Sequence, residues 1–161
     1  MDGDGYGAGN AVVGIFLAVY FILVGAIFLL AAVVYVLNGF AFMKLFRKVG
    51  IEPWAAWVPF FNIWRILELG GQYGWLSLLT LISPGAIVTL VFECIAVHRI
   101  GLAFRKTGSW VVLFVFLPFV WAWLLAAKDE VYDPHLPAQH GYGSPLVGYG
   151  SPRGPYVPPV A

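Results

Sequence analysis

The chain has 161 residues, of which 61% are hydrophobic and only 11% are charged, against about 25% charged in ordinary soluble domains. Its formal net charge of +1 excludes nucleic-acid binding driven by bulk charge. Cys94 is the single cysteine, so an intramolecular disulfide and a cysteine-based metal cluster are excluded as well. The composition indicates an integral membrane protein and points to no chemical activity.

The first predicted element is a transmembrane helix at residues 11–37, preceded by a short extracytoplasmic tail at residues 1–10. The helical segment has 27 residues and no charged side chain. It corresponds to about 40 Å of helix and exceeds the ~30 Å of a bilayer core. The basic residues Lys44, Arg47 and Lys48 follow it, so the positive-inside rule predicts that the N-terminus lies outside the cell.

Small residues recur along this first span every seven positions. Such a stripe lets two helices approach closely, and a seven-residue period favours left-handed crossing. We therefore interpret the stripe as a packing face, toward the other spans or toward a second copy of the chain. Its residues are Ala11, Ala18, Gly25, Ala32 and Gly39, with Gly14 one turn from the first two.

Residues 51–70 predict an amphipathic segment that lies in the cytoplasmic interface or enters it as a shallow re-entrant element. Only 11 residues separate Pro53 from Arg65, too few to cross a bilayer. Indole rings together with charged tips are typical of the headgroup layer. Arg65 and Glu68 are three residues apart and can neutralise each other as an ion pair. They lie on or beside a face of the helical wheel that is shared by Trp54, Trp57, Phe61 and Trp64.

Two further transmembrane spans are predicted at residues 73–97 and 109–127. Pro84 and Gly85 interrupt the first of them, and proline removes a backbone donor, so a kink packed against neighbouring helices is expected. Tryptophans near the span ends and in the amphipathic segment are expected to anchor the chain at the interfaces. These anchors are Trp54, Trp57, Trp64, Trp75 and Trp110.

The topology has an alternative. Three spans place the C-terminus in the cytoplasm but leave the basic connection at residues 98–108 outside. In the alternative, Pro84 and Gly85 form the tip of a re-entrant hairpin, both basic clusters face the cytoplasm, and the tail leaves on the outer side. The charge bias favours the hairpin, whereas the 18 uncharged residues from Trp75 to Phe92 are long enough to span. We adopt an all-α membrane fold with three spans.

Glu93 is the ionisable residue with the clearest functional interpretation. A carboxylate deep in a bilayer is costly and is typical of an ion or substrate path. With three spans Glu93 lies near water, whereas the hairpin places it deeper and allows a proton or cation role. Arg99 follows six positions later and off the helical face of Glu93. The candidate functional residues are Glu93, Arg99, Arg65, Glu68, Pro84 and Gly85, and no catalytic, cofactor-binding or metal-binding residue is predicted.

The composition changes at residue 128. Seven of the eleven prolines follow it, and the pentapeptide Gly-Tyr-Gly-Ser-Pro occurs at residues 141–145 and 148–152. Such a segment cannot bury enough apolar area to offset its ordering entropy, so residues 128–161 are predicted to be a disordered tail with polyproline character. The simplest interpretation is a solubilising tail. Alternatively, its repeated tyrosines serve as weak contact points for a partner, and they are Tyr142, Tyr149 and Tyr156.

Several short motifs carry a resemblance over most of residues 40–127. They are Lys48-Val49-Gly50, Val-Pro-Phe-Phe-Asn at 58–62, Gly74-Trp75 and Ala-Phe-x-Lys-x-Gly at 103–108. This region resembles a family of small bacterial membrane proteins of unknown function, which also occurs as the N-terminal membrane part of some bacterial signal peptidases I. In those peptidases the membrane region ends in the cytoplasm, so the resemblance implies three spans and a cytoplasmic tail. The chain departs from the family at 83–86, where it has Ser-Pro-Gly-Ala instead of a Pro-Ile-Val-Asn turn.

Peptidase activity is not expected from this chain. Only 34 residues follow the predicted third span, whereas the resemblance implies that the peptidase Ser and Lys dyad lies in a long extracytoplasmic domain. The sequence instead predicts a non-enzymatic protein of the bacterial cytoplasmic membrane, a scaffold or partner-binding subunit without a cofactor. Its partners would be the lipid bilayer and another membrane protein or a second copy, with no nucleic acid. The alternative is a small oligomeric transporter or channel that uses Glu93 and the Pro84-Gly85 break.

Overall fold

The computed structural model describes residues 4–82, 84–143, 145–147 and 151–152. The fold is helical, as the composition predicts, and the chain divides into two units, Met1–Leu37 and Asn38–Ala161. The α-helices are α1 (Asp4–Val49), α2 (Pro59–Leu69), α3 (Gly85–Ala103), α4 (Trp110–Phe116), α5 (Pro118–Leu125) and α6 (Leu136–Gln139). Two 3₁₀ helices cover Pro53–Trp57 and Gly74–Leu81, and two short strands, β1 (Leu146–Val147) and β2 (Ser151–Pro152), pair antiparallel.

Two of these helices are long and apolar enough to cross a membrane, by length and composition. The first is the Gly9–Val49 part of α1, with a mean hydropathy of 2.9, and the second is α3, with 1.8. The prediction of one long apolar helix over residues 11–37 is therefore confirmed. Large apolar side chains along this part of α1 are exposed, for example Phe16 at 71% and Phe28 at 72%. Such a surface suits contact with lipid.

The predicted second span at residues 73–97 has the wrong bounds. Residues 74–81 form a 3₁₀ helix, which ends where Ile82 takes an extended conformation, and a new helix, α3, begins at Gly85. Pro84 lacks the backbone donor that a continuous helix needs, and it disfavours helical geometry in the residue before it. The chain therefore changes direction at Pro84 instead of kinking within one helix.

The predicted third span at residues 109–127 is also broken in the structure. Leu117 separates α4 from α5 with a φ of −139° and a ψ of 66°. Its position directly before Pro118 explains this conformation, because the proline ring excludes the helical region for the preceding residue. The resulting helices have seven and eight residues, each too short to cross a bilayer.

The hydrophobic core of the second unit joins elements that lie far apart in sequence. Phe46 and Val49 near the end of α1 belong to the same buried cluster as Ile100 in α3 and Leu125 in α5. Trp121 is fully buried in this cluster, and its ring centroid lies 5.2 Å from that of Phe114. The C-terminal ends of α1, α3 and α5 therefore meet in one core.

The tail prediction is wrong for residues 131–142, which are packed on the second unit. Tyr132 is 2% exposed, and its ring centroid lies 5.2 Å from that of Phe104. The backbone amide of Asp133 donates a hydrogen bond to the carbonyl oxygen of Ala103. We call residues 131–142 the strap. Composition argued for disorder here because one buried tyrosine and α6 contribute little to an average over 34 residues. Tyr149 and Tyr156 lie outside the described residues.

Candidate functional site

A buried ion pair lies on α2. Glu68 is 1% exposed, and its Oε2 lies 2.8 Å from Nη1 of Arg65. Trp64 donates a hydrogen bond from its indole nitrogen to the other carboxylate oxygen at 2.8 Å. Arg65 also lies 3.2 Å from the exposed carboxylate of Glu52. The predicted pair is therefore present, and it lies inside the fold because both oxygens of Glu68 accept hydrogen bonds there.

Arg99 joins α3 to the end of α2. Its Nη1 donates hydrogen bonds to the carbonyl oxygens of Gly70 and Gly71, at 3.1 and 3.4 Å. Gly71 has a φ of +73°, the left-handed conformation that ends a helix and favours glycine. A Cβ added to Gly70 would lie 2.3 Å from Cα and Cβ of Ala96, so only glycine allows the close approach of the two helices.

Residues 70–99 form a helical hairpin, which we call the first hairpin. Its two arms are joined at three levels. Gly70 packs on Ala96 and Arg99 at the base, the Thr89 hydroxyl donates to the carbonyl oxygen of Leu76 at 3.0 Å midway, and Gly85 packs on Leu79 near the tip. A single straight helix over 73–97 would separate its ends by about 36 Å. The chain therefore enters and leaves this hairpin at the same end.

Residues 106–130, the second hairpin, return to their starting point in the same way. Lys106 precedes α4 and forms an ion pair of 2.6 Å with Glu130, which follows α5. A straight helix over 109–127 would hold its ends about 27 Å apart, so the break at Leu117 turns the chain back. Lys48 of α1 donates from Nζ to the carbonyl oxygens of Leu125, at 3.1 Å, and of Ala127. The base of the second hairpin therefore lies at the C-terminal end of α1.

Glu93 lies on α3, between the base and the tip of the first hairpin. It is half-buried and forms no hydrogen bond or ion pair with the described part of the chain. At the tip, Gly85 is buried, and a Cβ there would lie 2.0 Å from the carbonyl oxygen of Leu79. The break at Pro84 and Gly85 is thus a tight turn against the 3₁₀ helix, and the structure places Glu93 apart from the Arg65–Glu68 pair.

An apolar groove of about 450 Å³ runs along the outer side of α3. We call it the α3 groove. Tyr142 of the strap closes one end, where its ring centroid lies 6.2 Å from that of His98 and 4.8 Å from the guanidinium carbon of Arg99. The residues that line the groove are Leu90, Val91, Cys94, Ile95, His98 and Tyr142. This groove is absent from the sequence-based predictions because it depends on where the strap folds back.

The predicted tryptophan anchors do not share one face. Val58 is extended between the first 3₁₀ helix and α2, so the helical wheel drawn across both does not apply. Trp54 is 52% exposed and packs on Phe61, with ring centroids 5.3 Å apart. Trp57 instead packs edge-on against Phe40 of α1, and Trp64 binds Glu68. Of the other two, Trp75 is half-exposed, and Trp110 lies beneath the ammonium group of Lys106.

Three residues with structural roles escaped the sequence-based reasoning. Thr89 is 1% exposed and bridges the first hairpin, Tyr132 fixes the strap, and Lys48 binds the carbonyl oxygens at the end of α5. Each acts through a contact across a long sequence separation, which local periodicity does not reveal. Among the described residues, no group of three or more metal-ligating side chains comes together.

Residues 54–134 match the model of a family of unknown function, DUF5684. The match covers half of the chain and includes α2, both hairpins and the start of the strap. The chain therefore belongs to this family. No curated protein and no solved structure matches it. The link to signal peptidases stays a prediction from the motifs.

Proposed function

We propose that this member of a family without an assigned activity is a non-enzymatic, membrane-embedded subunit that binds another membrane protein. In this proposal, residues 11–37 of α1 cross the bacterial cytoplasmic membrane with the N-terminus outside. The second unit lies in the cytoplasmic half of the bilayer and presents its surface to the partner. The two apolar helices are compatible with a membrane location.

The proposed topology has one span and two re-entrant hairpins. Both hairpins begin and end near the C-terminal end of α1, where Lys48 and Lys106 make their contacts. All nine Lys and Arg residues of the chain follow residue 43. With this arrangement they all fall on the cytoplasmic side, as the positive-inside rule favours. Three spans would instead expose the basic connection at 98–108 on the outer side.

The single observation that carries the proposal is the internal use of the buried charges. Glu68 binds Arg65 and Trp64, Arg99 binds the carbonyls that end α2, and Lys106 binds Glu130. Groups held in this way stabilise the turns of the fold. The large side chains left exposed on the second unit are apolar, such as Trp54 and Phe61, and exposed aromatic patches are typical of contact surfaces.

The proposal is tested by chemical crosslinking in membranes, followed by purification of the full chain in mild detergent. We expect one membrane protein to co-purify in a near-constant ratio. The double variant Trp54→Ala with Phe61→Ala should lose it, and so should deletion of residues 148–161. The matched control is Val112→Ala, an exposed apolar residue on α4. A partner that stays bound to both variants, or wild-type protein that is recovered alone, contradicts the proposal.

A transporter or channel is the second candidate, and the position of Glu93 favours it. Its carboxylate is half-buried on an apolar helix without a partner in the described part of the chain, and intramembrane carboxylates often mark ion paths. In sealed liposomes this candidate predicts proton or cation flux that Glu93→Gln abolishes and Glu130→Gln preserves. Wild-type liposomes without flux exclude it.

A further inference from the structure

We propose that the α3 groove binds an anionic phospholipid, with one acyl chain along α3 and the phosphate group beside Arg99 and His98. This site would hold a specific lipid and is separate from the surface proposed for a protein partner. The proposal rests on the shape of the groove, on the position of its polar groups and on their charge.

The groove has the shape of an acyl-chain site. It extends from Leu90 to His98, eight positions on α3, or about 12 Å along the helix. Its walls are formed largely by aliphatic side chains, and Leu90 and Val91 are 45% and 54% exposed. A groove this long fits the better part of one lipid chain within a single leaflet, whose hydrocarbon depth is about 15 Å.

The polar groups are gathered at one end of the groove. His98 and Tyr142 line it there, and Arg99 lies against the other side of the Tyr142 ring at 4.8 Å. The opposite end, toward Leu90, is apolar. A lipid has the same asymmetry, since its charged headgroup is joined to apolar chains.

The charge at the polar end is positive. Arg99 uses Nη1 for the carbonyls of Gly70 and Gly71, while its buried Nε has no partner among the residues that the structure describes. The residues that line the groove include no carboxylate. Glu93 is five positions before His98 and on another face of α3. A phosphate is the lipid group that complements a guanidinium, because it accepts charge-assisted hydrogen bonds.

The test uses the full chain in nanodiscs that contain equal amounts of phosphatidylglycerol and phosphatidylcholine. Lipids that stay bound after transfer to detergent are counted by native mass spectrometry. We expect retained phosphatidylglycerol to exceed phosphatidylcholine by about fivefold, the preference that one basic residue near a phosphate provides. Val91→Trp fills the groove and should lower the retained lipid at least about tenfold.

Two matched controls accompany these variants. Val88→Trp adds the same side chain one turn away, at an exposed position that does not line the groove, and should retain lipid as the wild type does. Arg99→Gln should remove the preference for phosphatidylglycerol, whereas the exposed Arg105→Gln should keep it. If Arg99→Gln does not fold, Arg99→Lys takes its place and should preserve the preference. Equal retention of the two lipids by wild-type protein, or unchanged retention by Val91→Trp, overturns the proposal.

Discussion

Arg99 donates a hydrogen bond from Nη1 to the carbonyl oxygen of Gly70, 29 positions earlier in the chain, at 3.1 Å. This bond closes the base of the first hairpin and fixes where the chain enters and leaves it. Lys106 and Glu130 close the second hairpin in the same way, at 2.6 Å. Two long-range contacts by basic residues therefore define how the apolar stretches after residue 70 are arranged.

Both hairpin bases should be accessible from the cytoplasm. We expect single cysteines at Gln72, Arg105 and His135, in a Cys94→Ser background, to react with a membrane-impermeant maleimide only from the cytoplasmic side. The reason is that these positions lie at or near the closed bases or in the strap. Asn10→Cys, which precedes the charge-free segment, serves as the control and should react only from outside. Labelling of Arg105→Cys from outside would restore the three-span topology.

The Arg65–Glu68 pair should contribute strongly to stability. Glu68→Gln leaves the partly buried guanidinium of Arg65, 16% exposed, without its buried counter-charge, which costs about 3–5 kcal/mol when a buried pair is broken. The measurement is the midpoint of thermal unfolding in detergent, followed by tryptophan fluorescence. Glu52→Gln removes the exposed partner of Arg65 and should cost below about 1 kcal/mol. Equal losses in the two variants would show that the pair has no special weight.

The contact between α2 and α3 should not tolerate a methyl group at Gly70. In Gly70→Ala the new Cβ would overlap the backbone of Ala96 at 2.3 Å, and forcing such helices apart typically costs about 1–3 kcal/mol. Gly101→Ala is the control on α3, because its Cβ would meet only the Lys106 side chain at 3.9 Å. That variant should be neutral or stabilising, by up to about 1 kcal/mol, through helix propensity. A Gly70→Ala protein with unchanged unfolding temperature contradicts the packing described here.

The strap should be held mainly by Tyr132. Tyr132→Ala removes a ring that is 2% exposed and packed on Phe104, and the loss of a buried aromatic costs about 3–5 kcal/mol. Limited proteolysis should then cleave residues 131–142 at least tenfold faster, roughly the effect of 1.4 kcal/mol or more on local opening. Val131→Ala changes the neighbouring residue, which is 65% exposed, and should leave the cleavage rate as it is. Resistance of both variants to the protease would mean that other contacts hold the strap.

The sequence predicted those parts of the fold that depend on local patterns. The charge-free run at 11–37 predicted an apolar helix, and the spacing of Arg65 and Glu68 predicted their pair. The hairpins were not predicted as a pair, because an apolar stretch of 18 residues has the same composition whether it crosses or turns back. Proline marked both breaks, at 84 and 118, and could have indicated two turns. The α3 groove depends on the strap, whose fold a local pattern does not reveal.

The small-residue stripe of α1 should mediate contact between two copies of the charge-free segment or with a partner helix. Gly25 lies in its centre, and an added Cβ there would have no other side chain within 4 Å, so a larger residue does not disturb the described fold. We expect Gly25→Leu to weaken self-association in liposomes about tenfold, since close helix approach contributes roughly 1–2 kcal/mol in membranes. Resonance energy transfer between donor- and acceptor-labelled chains measures it. Ile27→Leu, two positions away on the opposite side of the helix, is the control and should associate as the wild type does. If Gly25→Leu associates as strongly as Ile27→Leu, the stripe is not a self-association face.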